Sequence, residues 1–328
     1  MKAIAYHRYG SPDVLELQEV DTPEVGDDGV LVRMRASSVN AVDWHSLRGQ
    51  PLLVRTTDGI RRPKRWQLGV DVAGQVESVG PNVTQFRPGD EVFGTRSGAF
   101  AEFVRGAERN FAPKPANLSF VQAAAIPVAA TTALQALRDK GELEAGQRVL
   151  VHGAGGGVGH FAVQIAKALG AEVTAVSSTS NLEMLRSIGA DDVIDSTTDD
   201  FTSRRGYDLI LDIAGTRSLR ACSRVLTPTG ILVVVGGPGG RWISPADRWT
   251  KAMVLSRLLR RRLLPFLATT AKDDLLVLKE LAEAGKLLPV IDRTYSLSEV
   301  PHAIRHVETM RARGKVTIGI GSTDARTG

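Results

Sequence analysis

The sequence predicts an α/β protein: a β-rich first part leading into a doubly wound parallel sheet. Two observations carry this. From about residue 148 onward, apolar runs of strand length alternate with helical runs, the rhythm that gives parallel strands joined by helical crossovers. Before about residue 118, short segments of alternating polarity are punctuated by proline and glycine, as in strands joined by tight turns.

In chain order, residues 2–6 read as a strand, and so do residues 30–35 and 74–79. A helix begins near Ala41, where Asn40 and Asp43 have the spacing of a cap. Ser119 with Gln122 forms a second capping box, and a helix over about 131–140 follows. The strand 148–152 then runs into a turn packed with glycine, and residues 160–169 carry Phe161, Val163, Ile165, Ala166 and Leu169 at helical spacing before Gly170. A strand at 172–176, a helix at 182–188, strands at 193–195 and 209–212, a helix at 219–226 and a strand at 231–235 complete the alternation.

Strand, glycine turn and helix in that order form a cradle for a pyrophosphate. Glycine lets the backbone approach the phosphates, and the helix N-terminus presents N–H groups and a favourable dipole. The strict G-x-G-x-x-G pattern is missed because Ala154 takes its first place. Read as G-x-x-G-x-x-G, the match is complete at Gly153, Gly156 and Gly159. Cradle contacts are expected from Gly155, Gly156, Gly157 and Val158.

That loop variant resembles the medium-chain dehydrogenase/reductase superfamily, and within it the zinc-independent quinone oxidoreductase group. Residues 38–44, 69–74, 87–94, 98–102, 132–137 and 313–316 are similar to that group's blocks, in family order over essentially the whole chain. The resemblance implies a GroES-like catalytic domain at 1–119 and 267–328, with a Rossmann cofactor domain inserted at 120–266. It implies a homodimer paired along the edge of the cofactor-domain sheet, where an exposed strand near 230–235 or beyond invites pairing.

Composition sets outer limits. Lysine and arginine number 41 against 36 aspartate and glutamate, a net charge of +5 in 328 residues. Two basic clusters stand out, Arg61, Arg62, Lys64 and Arg65, then Arg257, Arg260, Arg261 and Arg262. Neither has the interleaved aromatics of a nucleic-acid stacking platform, so no nucleic-acid or membrane partner is expected. The amphipathic run 256–264 suits packing across a domain or subunit boundary. No apolar run reaches the roughly 18 to 20 residues that span a bilayer. The lone Cys222 excludes an internal disulfide and fits a cytoplasmic protein. The polar tail after Ile320 is expected to fray.

Cofactor choice in this fold is set where the second strand ends. An acid there would bind the adenosine ribose and repel a 2′-phosphate. Here the segment is Ser177, Ser178, Thr179, Ser180 and Asn181, with no acid, so NADPH is favoured over NADH. The Lys or Arg that related sequences place near Ser180 and Asn181 is missing, and so is a Tyr near Ser196. Ser177, Ser178, Thr179, Asn181 and Ser196 are the candidate contacts. Strand ends also nominate Ile213, Gly236 and Gly237. By resemblance, Thr132 approaches the nicotinamide ribose, Asn40 the nicotinamide, and Lys315 belongs to the block on the far side.

Zinc-dependent relatives need a Cys where Asn40 stands, Gly-His-Glu where Gly69, Val70 and Asp71 stand, and four clustered Cys. None is present, so no zinc and no alcohol dehydrogenase activity are expected. Hydride transfer to a quinone, or to the C=C of an α,β-unsaturated carbonyl, needs no metal; it needs donors for the charge developing on oxygen. Asn40 and Thr132 are the candidate donors, Asp43 an orienting group and His45 a proton donor. The Tyr of many relatives is replaced by Pro51, Leu52 and Leu53. Two alternatives stay open: an enoyl or ketone reductase dedicated to one metabolite, and a non-catalytic NADPH-binding protein.

Overall fold

The computed structural model describes residues 1–50, 52, 55–237 and 246–321. The chain divides into two compact units: Met1–Thr131 with Thr270–Gly285 and Pro289–Gly328, and Thr132–Thr269 with Lys286–Leu288.

The first unit opens with β1 (Lys2–Ala5), β2 (Glu16–Glu19) and β3 (Gly29–Ser38), followed by α1 (Ala41–Arg48) and the short α2 (Arg55–Asp58). Then come β4 (Asp71–Val79), β5 (Glu91–Thr95), β6 (Phe103–Ala107), β7 (Phe111–Pro113), α3 (Phe120–Ala124) and α4 (Pro127–Gln135), whose residues from Thr132 on belong to the second unit. In the first unit, residues 29–32 of β3 and 71–74 of β4 are buried in unbroken runs, so these long strands are covered on both faces there. Val30, Val32, Met34, Val72, Val76 and Val92 form its apolar core with Phe100 and Phe111.

The second unit carries β8 (Arg148–His152), α5 (Gly159–Ala168), β9 (Glu172–Ser177), α6 (Leu182–Ser187), β10 (Asp192–Asp195), β11 (Tyr207–Asp212), α7 (Leu219–Val225), β12 (Leu226–Val234), α8 (Ala246–Leu259) and β13 (Arg262–Pro265). Its six strands run parallel in the order β10-β9-β8-β11-β12-β13. The doubly wound sheet read from the sequence is therefore present, and the reversal of strand order beside β8 places its C-terminal end at the switch point where such sheets bind ligands. The chain then returns to the first unit through α9 (Lys272–Glu283), β14 (Ile291–Ser296), α10 (Val300–Glu308) and β15 (Lys315–Gly319). There the order is β14-β15-β3-β4-β5-β7, with β6 also paired to β3.

Two details differ from the sequence reading. The division falls at Thr131/Thr132 rather than 119/120. The Ser119–Gln122 capping box opens α3, whose Ala123 and Ala124 are buried completely and which packs on β3, β4 and β15. Residues 286–288 belong with the second unit, where Gln164 exchanges two hydrogen bonds with the backbone of Leu288. The amphipathic run 256–264 covers a helix end and a strand start: α8 stops at Leu259, Arg260 turns the chain at φ 49°, and Arg262 opens β13. Of that basic cluster, Arg262 pairs with Glu142 and Arg261 bonds the Thr227 carbonyl. Arg61, Arg62, Lys64 and Arg65 are exposed. Pro51, Leu53 and the tail from residue 322 lie outside the described residues.

Candidate active site

The glycine turn joins β8 to α5 and each glycine has its own physical reason. Gly153 sits at φ +93°, a region closed to most side chains. A Cβ on Gly159 would collide with the Gly153 carbonyl and lie 2.6 Å from Ala154 Cα, so this glycine lets α5 pack tightly on the turn. At Gly156 the nearest atom to a Cβ is the Gly153 carbonyl at 3.7 Å, so packing within the protein does not require glycine there. What a side chain would fill is the space in front of the turn, which is the property a dinucleotide cradle needs. Gly156, Gly157 and Val158 are partly exposed and face solvent. Gly155 is buried instead, where a Cβ would meet Ser177 Oγ at 2.5 Å and Asn181 Cγ at 2.6 Å. It docks the turn onto the end of β9.

That end is built from hydroxyls and amides. Asn181 Nδ2 donates to Ser177 Oγ at 2.9 Å and Ser178 Oγ at 3.2 Å. Its Oδ1 is buried and has no hydrogen-bond partner among the described residues. Ser196 N–H donates to the Ser177 carbonyl at 2.8 Å. Thr179 Oγ1 donates to Asp195 Oδ2 at 2.5 Å. The sequence reading missed Asp195 because it sits at the end of the neighbouring strand, β10, opposite Ser177 in register.

Below the turn, Ile213 N–H and Ala214 N–H both donate to the His152 carbonyl, and a Cβ on Gly236 would lie 2.5 Å from the Ile213 carbonyl oxygen. Ile213 and Gly236 therefore adjoin, with Gly237 next in chain. The buried Asp212 bonds His152 Nδ1 at 2.8 Å, the Gly215 N–H at 3.0 Å and the Arg248 guanidinium. Burial pushes its carboxyl up, but these partners hold it below the ordinary carboxylate value.

The second group of candidates lies wholly in the first unit. Asn40 caps α1: its N–H donates to Asp43 Oδ2 at 2.7 Å, and Asp43 Oδ1 accepts from Gly69 N–H at 3.1 Å. Asp43 is buried, and burial together with the nearby Asp71 carboxylate pushes its carboxyl up to about 7 against those two hydrogen bonds. The Asn40 side chain is held at both ends. Lys315 Nζ donates to its Oδ1 at 2.6 Å, and its Nδ2 donates to Asp71 Oδ2 at 2.7 Å. Nδ2 also lies 3.4 Å from the Ser38 carbonyl, a weak contact.

Asp71 is the hub of this cluster. Its carboxylate accepts from Ser38 Oγ and from Val128 N–H in the first turn of α4, and Lys315 Nζ lies 3.6 Å away. Ser38 and Asp71 are fully buried and Lys315 is 2% exposed. Burial lowers the Lys315 ammonium from its usual value, opposed by the Asp71 and Asp43 charges. Ser38 and Asp71 were not nominated from sequence. The signal was an acid set among small apolar residues at the start of one strand and a lysine opening another, each needing a buried partner.

His45 stands apart. Its Nδ1 lies 2.8 Å from the Gln50 carbonyl and its ring stacks on Trp44 at 3.7 Å. Burial lowers its pKa, so the ring is neutral at pH 7, with its proton on Nδ1 and committed to that carbonyl. Thr132 lies half-buried on α4 in the second unit.

Comparisons with known proteins follow the same outline. Residues 26–116 match the model of the alcohol dehydrogenase GroES-like domain, and residues 188–318 match a model described as zinc-binding dehydrogenase. A 2-methylene-furan-3-one reductase of Solanum lycopersicum is 35% identical over 97% of this chain and 79% of its own. The quinone oxidoreductase of Sus scrofa is 32% identical over 96% of this chain and 95% of its own. The solved quinone oxidoreductase of Coxiella burnetii superposes with a TM-score of 0.87 at 30% identity, covering 97% of this chain and 99% of that one. The chain belongs to the medium-chain dehydrogenase/reductase family, in its quinone-oxidoreductase-like branch, and is an NAD(P)H-dependent oxidoreductase.

Proposed function

We propose that this protein transfers hydride from NADPH to a quinone, or to the β-carbon of an α,β-unsaturated carbonyl, without zinc. The observation that carries the metal-free chemistry is the Lys315–Asn40–Asp71 cluster. The positions where zinc-dependent relatives place ligands hold an amide and a carboxylate that already share a buried ammonium, at 2.6 and 3.6 Å. Such a donor set does not fit zinc, which takes Cys, His and carboxylate in tetrahedral array.

The glycine turn fits a dinucleotide, with an open face at Gly156 and an unpaired acceptor at Asn181. Gly156, Gly157 and Val158 would hold the pyrophosphate, and Ser177, Ser178 and Asn181 the adenosine ribose. Ser177 and Ser178 accept from Asn181 and keep their own O–H groups to give to a 2′-phosphate, which supports NADPH. When bound, the reduced nicotinamide supplies the hydride.

The chain's own residues position and polarise. Among the described residues one Nδ2 hydrogen of Asn40 meets only the Ser38 carbonyl, at 3.4 Å, and a developing enolate or quinol oxygen can take it. Thr132 is the second donor proposed. Lys315 and Asp71 hold the amide in one orientation, because a flip would set NH2 against the ammonium and oxygen against the carboxylate. Solvent supplies the proton in place of His45, whose proton is committed to Gln50. The relatives' names accord with these substrates. One, of Arabidopsis thaliana and 33% identical, is called an NADPH-dependent alkenal/one oxidoreductase.

Assembly as a cytoplasmic homodimer is part of the proposal. Among the described residues β13 pairs with β12 on one side only, and Val254 and Leu258 of α8 stand exposed one helical turn apart. No helix among the described residues is long and apolar enough to cross a membrane.

The test is oxidation of NADPH against a para-quinone, an enone, a 2-alkenal and a saturated ketone. Turnover of quinone or enone without the saturated ketone is expected. Turnover of the saturated ketone alone would overturn the proposal.

A further inference from the structure

The end of β9 holds a feature that works against the proposed cofactor. Thr179 is one of the hydroxyls placed to meet the adenosine ribose, yet its proton is given to Asp195 Oδ2 at 2.5 Å. Asp195 takes two further hydrogen bonds from one neighbour, since Thr197 donates to its Oδ1 through both N–H and Oγ1, and Thr197 Oγ1 itself lies 3.0 Å from Thr179 Oγ1. These hydroxyl and amide bonds, led by Thr179, hold the Asp195 carboxyl below the usual carboxylate value; no cation contributes. Among the described hydrogen bonds and ion pairs of residues 177–181 and 195–197, none reaches a lysine or arginine. A full negative charge therefore stands, with no cation bonded to it among the described residues, one hydrogen bond from Thr179, a candidate ribose contact.

We propose that Asp195 is a specificity-determining residue that disfavours a 2′-phosphate and so limits the preference for NADPH over NADH. The idea rests on the NAD(P)H reading and deepens it. An acid at the end of the second strand excludes the phosphate by direct contact with the ribose. Here the acid comes from the third strand and acts through space and through Thr179. It keeps Thr179 as an acceptor, which suits a ribose hydroxyl and not a phosphate oxygen. Ser177 and Ser178 still offer donors, so both cofactors bind, and the wild-type protein discriminates by less than about tenfold.

The test compares wild type with Asp195→Asn and Asp195→Ser, reading dissociation constants by titration calorimetry without any acceptor present. The probes are NADPH and NADH, and the fragments 2′,5′-ADP and 5′-AMP, which isolate this end of the cofactor. Asp195 is only partly buried, so neither substitution threatens the fold. In both variants NADPH and 2′,5′-ADP should bind about five- to tenfold tighter. That is the size expected for one carboxylate and a doubly charged phosphate a few ångström apart in a water-like dielectric. NADH and 5′-AMP should stay within about twofold. Equal changes for phosphorylated and unphosphorylated probes, or none, would overturn the proposal alone. Failure of all four to bind wild type would overturn it together with the NAD(P)H reading.

Discussion

Replacing Lys315 by methionine tests whether a buried ammonium organises the first unit. The substitution keeps length and apolar volume and removes the charge. Asp71 retains its bonds from Ser38, Asn40 and Val128 but loses its ion-pair partner Lys315 in a fully buried site. Asn40 Oδ1 loses its 2.6 Å donor. Breaking a buried pair by removing one partner costs about 3 to 5 kcal/mol, because the other charge stays behind. The unpaired amide oxygen falls within that figure. The double variant Lys315→Met with Asp71→Asn removes both charges, and should regain about 2 kcal/mol or more of the loss. Urea unfolding of wild type, both single variants and the double variant closes the cycle, with the Trp44 region followed by hydrogen exchange to isolate the first unit. A loss below about 1 kcal/mol in Lys315→Met, or a double variant no more stable than the single, would refute the reasoning.

Asp43 should make stability fall as pH rises. Its folded-state pKa of about 7 lies above the ordinary 3.8, so between those values the folded state binds more protons than the unfolded one. The stability this group contributes is complete below about 4 and is lost as pH rises through 7, by up to about 4 kcal/mol. Asp43→Asn should remove that slope from the stability-versus-pH curve, whatever its baseline, and an unchanged slope would contradict the assignment. The glycines separate packing from binding. Gly159→Ala should lower stability by about 1 to 3 kcal/mol through its clash with residues 153 and 154. Gly156→Ala should leave the melting temperature nearly unchanged and weaken NADPH binding at least tenfold in titration calorimetry. Asp212→Ala strands Arg248 and frees the Gly215 N–H. It should cost about 3 kcal/mol in urea unfolding and speed hydrogen exchange over residues 213–217.

What was legible in the sequence was local. Turn chemistry and helical spacing within a dozen residues located the cradle, because Gly153 and Gly159 answer constraints set by the local backbone while Gly156 leaves the space in front of the turn open. Capping at Asn40 and Ser119 was legible for the same reason. Illegible features depend on pairing at a distance. Lys315 and Asn40 are 275 residues apart, and nothing near either one says they meet. Asp195 and Thr179 are brought together by the register of β9 and β10. Thr131/Thr132 as a boundary follows from α3 burying its alanines on strands from both ends of the chain, a tertiary choice that overrides the change of pattern at Ser119. His45 reads as a proton donor from its place just after Asn40 and Asp43, and the Gln50 carbonyl shows where its proton goes.

The most direct test of the central claim is isotope transfer from NADPH deuterated at the nicotinamide C4, using protein dialysed against a zinc chelator. The product of an enone is read by NMR. Deuterium on the β-carbon, at a rate unchanged by chelation, is the predicted result. Deuterium on the carbonyl carbon, or transfer that requires added zinc, would contradict it.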